Sequence, residues 1–324
     1  MTTRNDREKV AVCSRSFSQD PQLRRELLER YVHVTFNETG KSLAGEELVT
    51  FLRGHQKAIV ALEAIDEGLL GKLPDLRVIG KYGVGMDKVD FEALARHGIR
   101  FGWTGGVNRR SVAELTIAFA ISMLRGVTSA GLGVREGRWE NFKGRELGSS
   151  TLGLVGCGHV GKEVAVLARA FGTRVLAHDL LDFEGFYNKH GIETATLEQL
   201  LSQSDVVSLH VPLTNETRSM ISDRELESFK QGAYLINTAR GGIVDEAALE
   251  RSLSSGHLGG AAFDVFHIEP PIETSLIALK NFWATPHIGG SSKEAILAMG
   301  RAAISGLDEH RSAIEFISSP EVKK

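Results

Sequence analysis

The segment Gly153-Leu-Val-Gly156-Cys-Gly158-His-Val-Gly161 decides how this chain is interpreted. A short apolar run leads into a Gly-X-Gly-X-X-Gly turn, and a helical pattern follows. A helix that begins at such a turn offers free N–H groups and a partial positive charge to a pyrophosphate. We therefore predict that a dinucleotide binds at Gly156, Gly158, His159, Val160 and Gly161. Taken alone, the pattern also fits a tight strand-to-helix turn that needs glycine only for its conformation.

Asp179 adds to this pattern, because it follows Gly161 by roughly 20 residues and ends the strand-like run Arg174–His178. A carboxylate there accepts hydrogen bonds from both ribose hydroxyls and repels a 2′-phosphate. Leu180 and Leu181 come next, so no adjacent cation compensates. We expect NAD to be preferred to NADP as the cofactor. The alternative is an acid that only caps the next helix.

Short β-branched runs alternate with helical patterns along most of the chain, which is typical of βαβ units on parallel sheets. The first series of predicted strands lies near Val10–Cys13, Val32–Phe36, Ala58–Leu62, Val78–Lys81 and Ile99–Trp103. The second lies near Leu152–Val155, Arg174–His178, Val206–His210, Tyr234–Asn237, Gly260–Val265 and Phe282–Thr285. The predicted fold class is α/β, with two Rossmann-like domains.

Two helical segments indicate how the domains are connected. Ser111–Arg125 is apolar-rich, with Ser111 as an expected N-cap and Glu114 three residues later, and it bridges the two strand series. Ser291–His310 follows the last strand and is expected to pack back on the first domain. We predict a discontinuous substrate domain, residues 1–104 plus 291–324, and a cofactor domain, residues 105–290.

Composition narrows the class of protein. The 324 residues, 42% of them hydrophobic, suit two well-packed domains, and a net charge of −3 gives no basic field for nucleic acid. Two cysteines are too few for a disulfide framework. The N-terminus lacks the apolar region of a signal peptide, and Val112–Leu124 is too short to span a bilayer. We expect a cytoplasmic protein without nucleic-acid or membrane partners and without a metal site.

Three ionisable residues downstream of the glycine turn form a candidate catalytic set: Arg240 in Asn-Thr-Ala-Arg-Gly-Gly, Glu269 in Ile-Glu-Pro-Pro and His287 in Thr-Pro-His-Ile-Gly-Gly. Taken singly, each has an equally good structural interpretation: Arg240 as a surface cation, Glu269 as a turn acid before proline and His287 as a loop histidine. Together with a dinucleotide site, they indicate hydride transfer.

Seven ordered blocks of sequence resemble the D-isomer-specific 2-hydroxyacid dehydrogenase family. The blocks are Tyr82-Gly-Val-Gly-Met-Asp87, Gly106-Val-Asn-Arg-Arg-Ser-Val-Ala-Glu-Leu115, the glycine turn, Leu209-His-Val-Pro-Leu-Thr214, Leu235-Ile-Asn-Thr-Ala-Arg-Gly-Gly-Ile-Val-Asp245, Phe263-Asp-Val-Phe-His-Ile-Glu-Pro270 and Thr285-Pro-His-Ile-Gly-Gly290. The resemblance covers nearly the whole chain, and it implies an NAD-dependent oxidoreductase acting on small 2-hydroxy or 2-keto acids.

The resemblance also implies roles for single residues. Arg240 would grip the substrate carboxylate and polarise the 2-keto group, because a guanidinium fork suits bidentate binding. His287 would exchange a proton with the substrate oxygen, and Glu269 would raise the histidine pKa. Asp264 would lie near the nicotinamide carboxamide, or is simply a strand-end structural acid. His210 and Thr238 would line the cofactor cleft.

Substrate residues are implied in the first domain as well. The backbone amides of Gly83, Val84 and Gly85 would touch the substrate carboxylate, with Asn108 at the cleft rim. Arg109 and Arg110 beside it are either anion contacts or, as we favour, solvated charges.

The loop after the third strand bears on the choice of substrate. Several phosphoglycerate enzymes carry an arginine there, but here the segment reads Val60-Ala-Leu-Glu63-Ala, which argues against a phosphorylated substrate. Glu63 would receive a substrate hydroxyl or amine, or belongs to a plain loop.

Two further expectations concern binding partners. A homodimer is implied through residues 112–143, with Trp139 either as an anchor of the contact or as a core residue. The competing function is an NAD(H)-sensing, corepressor-like binding protein, since transcriptional corepressors share this fold and retain the same Arg, Glu and His.

Overall fold

The computed structural model describes residues 4–271 and 274–317 and divides into two compact units. Unit 1 comprises Met1–Asn108 and Ser291–Lys324, and unit 2 comprises Arg109–Gly290. The α/β class and the discontinuous first unit are confirmed. The division between the units follows Asn108, and the helix that begins at Arg109 packs against elements of unit 2.

Unit 1 is built on a six-stranded sheet. Its strands are β1 (Asn5–Val12), β2 (Tyr31–Phe36), β3 (Lys57–Val60), β4 (Val78–Lys81), β5 (Arg100–Gly102) and β13 (Arg311–Ser312). Its helices are α1 (Arg15–Gln19), α2 (Pro21–Leu28), α3 (Gly45–Leu52), α4 (Glu67–Leu70), α5 (Phe91–Arg96), α13 (Lys293–Gly306) and α14 (Ala313–Ile317). The strand order is β13-β5-β4-β3-β1-β2, with only β13 antiparallel to its neighbour.

Helix α13 explains how the end of the chain joins unit 1. Its backbone lies so close to the sheet that a Cβ on Gly80 would approach Ala303 O to 2.4 Å, and one on Gly102 would approach Gly306 O to 2.0 Å. Only glycine permits that approach. Ser292 caps the helix by accepting a hydrogen bond from the Ala295 N–H. The predicted return of the chain to the first domain is therefore confirmed, although the helix ends at Gly306, before His310.

Unit 2 is built on a seven-stranded parallel sheet. Its strands are β6 (Thr151–Val155), β7 (Arg174–His178), β8 (Glu193–Thr194), β9 (Val206–Leu209), β10 (Tyr234–Asn237), β11 (Gly260–Phe263) and β12 (Phe282–Ala284). Its helices are α6 (Arg109–Arg125), α7 (Val127–Arg135), α8 (His159–Ala170), α9 (Glu184–His190), α10 (Leu197–Gln203), α11 (Asp223–Glu227) and α12 (Glu246–Ser254), with short 3-10 helices at Leu147–Ser149 and Ser275–Ala278.

The order of this sheet places the glycine turn. It runs β12-β11-β10-β9-β6-β7-β8, so the direction of winding reverses between β6 and β9. Ligands of such sheets bind beyond the carboxyl ends of the strands at that reversal. Residues 156–161 leave β6 at this point.

Most central strands are buried along their whole length, as expected for parallel sheets covered by helices on both faces. All eleven predicted strands are present, with ends that differ by a few residues. The two-residue strands β8 and β13 were not predicted, because two residues carry no periodic pattern.

Candidate functional site

The three glycines of the turn differ in how closely other atoms surround them. Gly156 has φ +94°, and a Cβ there would lie 2.6 Å from His210 O; a Cβ on Gly161 would lie 2.2 Å from Gly156 O. By contrast, a Cβ on Gly158 would meet no heavy atom of its surroundings within 4 Å. Two glycines are therefore required by the fold, whereas Gly158 borders open space, as close approach of a ligand requires.

Helix α8 begins at His159, within the glycine motif and directly after Gly158, and no side chain caps its N-terminus. His159 is exposed and Val160 is half-buried in its first turn. The first N–H groups of a helix lack internal partners and carry a partial positive charge. The turn and α8 thus fit a pyrophosphate group, and the residues predicted for this role lie together.

Asp179 connects the end of β7 to the glycine turn. Its Oδ2 accepts a hydrogen bond from the Cys157 N–H at 2.6 Å, and its Oδ1 accepts one from the Leu181 N–H at 2.8 Å. Lys162, the first cation after Gly161, lies over the Phe183 ring at 3.4 Å. The carboxylate is therefore fixed by backbone donors beside the turn, as a ribose-binding acid would be.

His210 supports the turn from behind. Its backbone N–H donates to Val155 O at 2.7 Å, and its Nε2 lies 3.0 Å from Ser208 Oγ. Burial lowers the pKa of His210 to about 3, so the imidazole is neutral. A neutral ring suits a lining role rather than proton transfer. The buried Thr238, also predicted to line the cofactor cleft, pairs its Oγ1 with Thr116 Oγ1 at 3.0 Å.

The loop after β10 presents Arg240. Asn237 folds this loop, because its Oδ1 accepts from the Ala239 N–H at 3.1 Å and its Nδ2 donates to Arg240 O at 2.8 Å. A Cβ on Gly241 would lie 1.9 Å from the carbonyl of Phe266, so glycine lets this loop pack directly against the loop after β11. The Asn and the first Gly of the motif therefore bring Arg240 towards Glu269.

Glu269 and His287 form a hydrogen-bonded pair. His287 Nδ1 lies 2.8 Å from Glu269 Oε2, and Glu269 Oε1 accepts from the Phe266 N–H at 3.1 Å. The bond to Glu269 raises the pKa of His287, against the effect of burial. Burial would raise the pKa of Glu269, but the hydrogen bonds from His287 and Phe266 outweigh it and lower the pKa. Both shifts favour the charged pair. The positive charge of Arg240 adds to the lowering of the Glu269 pKa but opposes the rise in the His287 pKa.

Asp264 holds the loop that carries His287. Its Oδ1 accepts from Thr285 Oγ1 at 2.5 Å and from the Ile288 N–H at 2.7 Å, and its Oδ2 accepts from the Gly289 N–H at 2.7 Å. His287 has a positive φ of 54°, which a non-glycine residue adopts only at a cost. These three bonds fix that backbone. The predicted contact of Asp264 with nicotinamide stays a prediction.

Ser111 has a different role from the expected one. Helix α6 begins at Arg109, so Ser111 lies inside the first turn and is not the N-cap, and Glu114 pairs with Arg110 at 2.6 Å. The Ser111 hydroxyl instead donates to Gly289 O at 2.6 Å, which ties α6 to the His287 loop. The sequence offered no signal for this bond, since 178 positions separate the two residues.

Arg109 and Arg110 are not isolated solvated charges. Their guanidinium groups pair with Glu163 on α8, at 3.5 Å for Arg109 Nε and 3.1 Å for Arg110 Nη1. Both arginines remain largely exposed, so the pairs contribute little to stability.

The substrate residues predicted in the first domain lie in unit 1. Gly83 has φ +109°, and Trp103 Nε1 donates to Val84 O at 3.1 Å, which fixes the loop that continues to Gly85. Asn108 is buried, and its Oδ1 has no hydrogen-bond partner among the described residues. An orphaned buried oxygen suits a residue that meets a ligand. Contact of these residues with a substrate stays a prediction.

The described part of the chain, residues 4–271 and 274–317, bears on two other classes of site. No group of three or more His, Cys, Asp or Glu side chains that could hold a metal ion is present there. In the same ranges, no single helix is long and apolar enough to cross a membrane, and α6 with α7, bent by 65°, passes that test only as a pair.

Fold and site together define a dinucleotide-binding protein with an arginine and an acid–base pair in one unit. Residues 117–289 match the family model described as "D-isomer specific 2-hydroxyacid dehydrogenase, NAD binding domain". The chain belongs to the D-isomer specific 2-hydroxyacid dehydrogenase family.

Relatives of known name support this membership. The chain is 40% identical over 235 residues to D-3-phosphoglycerate dehydrogenase of Bacillus subtilis (72% of this chain, 45% of that protein). It is also 40% identical over 231 residues to hydroxypyruvate reductase of Thermotoga maritima (70% of this chain, 74% of that protein). The chain thus matches under half of the Bacillus protein.

A solved structure matches over almost the full length. D-lactate dehydrogenase of Aquifex aeolicus, complexed with NAD and lactic acid, has a TM-score of 0.81 at 27% identity and 98% coverage of both chains. The architecture of both units therefore recurs in a solved member of the fold.

Proposed function

We propose that this protein is an NAD-dependent oxidoreductase that transfers hydride between nicotinamide and C2 of a small D-2-hydroxy acid or its 2-keto acid. The observation that carries the proposal is the Glu269–His287 pair, held beside Arg240 in the unit that contains the glycine turn. Membership of the 2-hydroxyacid dehydrogenase family supports the same reaction.

Each side chain has a defined task in this reaction. The nicotinamide, when bound, supplies hydride to C2 of the 2-keto acid or accepts hydride from C2 of the 2-hydroxy acid. Arg240 binds the substrate carboxylate through its guanidinium fork and draws electron density from the adjacent carbonyl. Since His287 Nδ1 is engaged with Glu269, Nε2 is the atom that gives a proton to the carbonyl oxygen during reduction. Glu269 stabilises the imidazolium before that transfer.

The cofactor preference follows from Asp179. A carboxylate fixed beside the turn accepts hydrogen bonds from ribose hydroxyls and repels a 2′-phosphate, and the nearby Lys162 is engaged with the Phe183 ring. We therefore assign NAD(H), rather than NADP(H), as the preferred cofactor.

The proposed substrate is unphosphorylated. The loop after β3 carries Glu63 and no arginine, and Glu63 itself is only 7% exposed, so it does not act as an open acceptor for a substrate hydroxyl or amine. Glyoxylate, pyruvate and hydroxypyruvate are the simplest acids of this class.

The active form is proposed to be a homodimer in the cytoplasm. Val127, Leu132, Val134, Trp139 and Phe142 expose apolar side chains along α7 and the segment that follows, with Trp139 exposed to 92%. Several large apolar side chains exposed within one segment of 16 residues indicate an interface. Light scattering at micromolar concentration tests it, and a monomer would contradict it. Both cysteines are buried free thiols, which suits a reducing compartment.

The decisive experiment measures NADH oxidation against a panel of 2-keto acids: glyoxylate, pyruvate, hydroxypyruvate, phosphohydroxypyruvate and bulkier members. Turnover that His287→Ala abolishes is the expected result. His257→Ala, a histidine paired with Gln231, is the matched control and should leave turnover unchanged. Binding of NADH without turnover on any acid would overturn the proposal in favour of a nucleotide-sensing protein.

A further inference from the structure

Two oppositely charged side chains are buried at the carboxyl end of the unit 1 sheet. Lys81 is the last residue of β4 and is paired in register with Val60, the last residue of β3. Lys81 is 5% exposed, and Glu63, three residues beyond Val60, is 7% exposed. Burying two charges is costly, and equally large apolar side chains would give the same packing without that cost. The pair therefore calls for an explanation beyond packing.

Both charged side chains form hydrogen bonds with the backbone of the same residue, Ala61. Glu63 Oε2 accepts from the Ala61 N–H at 2.6 Å, whereas Lys81 Nζ donates to Ala61 O. Lys81 Nζ also lies 3.4 Å from Tyr82 O. The carboxylate thus belongs to the loop after β3, and the ammonium group joins that loop to the one after β4.

The ammonium group of Lys81 lies close to Gly83, the first residue of the Gly83–Gly85 loop. A Cβ built on Gly83, whose φ is +109°, would lie 3.8 Å from Lys81 Nζ. The negative charge of Glu63 also reaches the end of β1, since it adds to burial in raising the pKa of Cys13. Each charge therefore acts on the edge of the sheet where strands β1, β3 and β4 end.

We propose that Lys81 and Glu63 tune the electrostatic potential of the loop Gly83–Gly85, so that it accepts the single carboxylate of a 2-keto acid and rejects a phosphorylated one. This inference rests on the proposed function and on the contact, implied by the family resemblance, between the amides of that loop and the substrate carboxylate. Lys81 supplies positive potential close to the amides of the loop. Glu63 limits that positive potential. A phosphorylated 2-keto acid, which carries additional negative charge, therefore gains too little attraction to bind in preference to an unphosphorylated one. Neither residue touches the substrate; both act through the loop.

The test removes each charge separately. Lys81→Met removes the positive charge near Gly83 and should raise KM for the best 2-keto acid roughly tenfold, whereas Glu63→Gln should lower it severalfold. Glu63→Gln should also raise kcat/KM for phosphohydroxypyruvate relative to hydroxypyruvate. The KM for NADH should stay unchanged in both, because the glycine turn lies in unit 2. A purely structural role would instead raise KM in both variants.

The exposed ion pair Lys72–Glu46, at 2.8 Å in the same unit, provides matched controls. Lys72→Met and Glu46→Gln remove the same charges from the surface, where solvent screens them, and should leave KM unchanged. Equal shifts in these variants would overturn the proposal, because net charge alone would then explain the effect. If Lys81→Met does not fold, Lys81→Arg should keep KM near the original value while Glu63→Gln still lowers it.

Failure of the proposed function can be separated from failure of this inference. If the unaltered protein turns over no 2-keto acid, the proposed function fails, but the inference about Lys81 and Glu63 can still be tested by binding. The affinity of NADH-loaded protein for oxamate, measured by calorimetry, then replaces KM as the readout. Opposite changes in affinity for Lys81→Met and Glu63→Gln would support the tuning role, and parallel changes or no binding would overturn it.

Discussion

His287 Nδ1 lies 2.8 Å from Glu269 Oε2, and this bond links a histidine with left-handed backbone geometry to an acid on a separate loop. The bond raises the pKa of the imidazole and contributes to lowering that of the carboxyl group. The imidazolium form, which a proton donor needs at neutral pH, is stabilised in this way.

The pair predicts opposite pH profiles for the two directions of reaction. Keto-acid reduction requires protonated His287, so kcat/KM should fall as the pH rises through the elevated histidine pKa. Hydroxy-acid oxidation requires the neutral ring and should rise over the same range. Glu269→Gln removes the main cause of the shift, so the midpoint of both profiles should move to lower pH. An unmoved midpoint in Glu269→Gln would contradict this account.

Arg240→Lys should lower kcat/KM for every 2-keto acid by about 10- to 100-fold, because lysine keeps the charge but loses the two-pronged contact with the carboxylate. Steady-state kinetics with saturating NADH measure the change. Arg218→Lys, an exposed arginine of the same unit, serves as the control and should retain activity. Activity of Arg240→Lys close to that of the original protein would show that charge alone suffices.

Two glycine substitutions should separate cofactor binding from folding. Gly158→Ala places its methyl group in open space, so stability should be nearly unchanged while the Kd for NADH rises at least about tenfold. Gly161→Ala forces a methyl group against Gly156 O, so it should lower the unfolding temperature by several degrees, for about 1–3 kcal/mol of strain. Nucleotide fluorescence titration and thermal unfolding measure the two effects. Equal loss of stability in both variants would refute the distinction.

Asp179→Ser should reduce the preference for NADH over NADPH by about tenfold or more, since serine removes the charge that repels a 2′-phosphate. Serine is chosen over asparagine because the amide of asparagine would face the backbone donors of Cys157 and Leu181. Asp182→Ser removes an acid three positions later and should leave the preference intact. A clear preference of the original protein for NADPH would invalidate the assignment of Asp179.

Much of this architecture could be predicted because its signals are local. Alternation of apolar runs and helical patterns is enough for the two sheets, and the return of the chain follows from the helix after the last strand. The sequence identifies the three glycines of the turn as one motif. It does not show that Gly156 and Gly161 are required by close backbone contacts, whereas Gly158 borders open space. The constraint on Gly156 depends on His210, which lies far along the chain, and that on Gly161 depends on the folded path of the turn itself.

The supporting contacts of the catalytic residues could not be predicted. Asn237 folds the Arg240 loop, Gly241 lets two loops touch, and Ser111 reaches Gly289 across two elements. The Gly241 and Ser111 contacts join residues that are distant in sequence, whereas the Asn237 bonds lie within one irregular loop. None of them leaves a periodic pattern. Burial of Glu63 was missed for the same reason, since an acid after a strand normally faces solvent.

Asp264→Asn should distinguish a positioning role from a contact with the cofactor. An amide offers one acceptor and one donor group, so at least one of the three donors held by Asp264 would lose its partner, at about 1–3 kcal/mol. If Asp264 positions His287, kcat should fall at least about tenfold and the pH midpoint should move down, because Asp264 also contributes to the raised pKa of His287. The Kd for NADH should then change little. Ser111→Ala should lower kcat more modestly, through the loss of one bond to Gly289, whereas Ser122→Ala on the same helix should have no effect. A large rise in the Kd for NADH at constant pH midpoint in Asp264→Asn would instead assign this carboxylate to the nicotinamide.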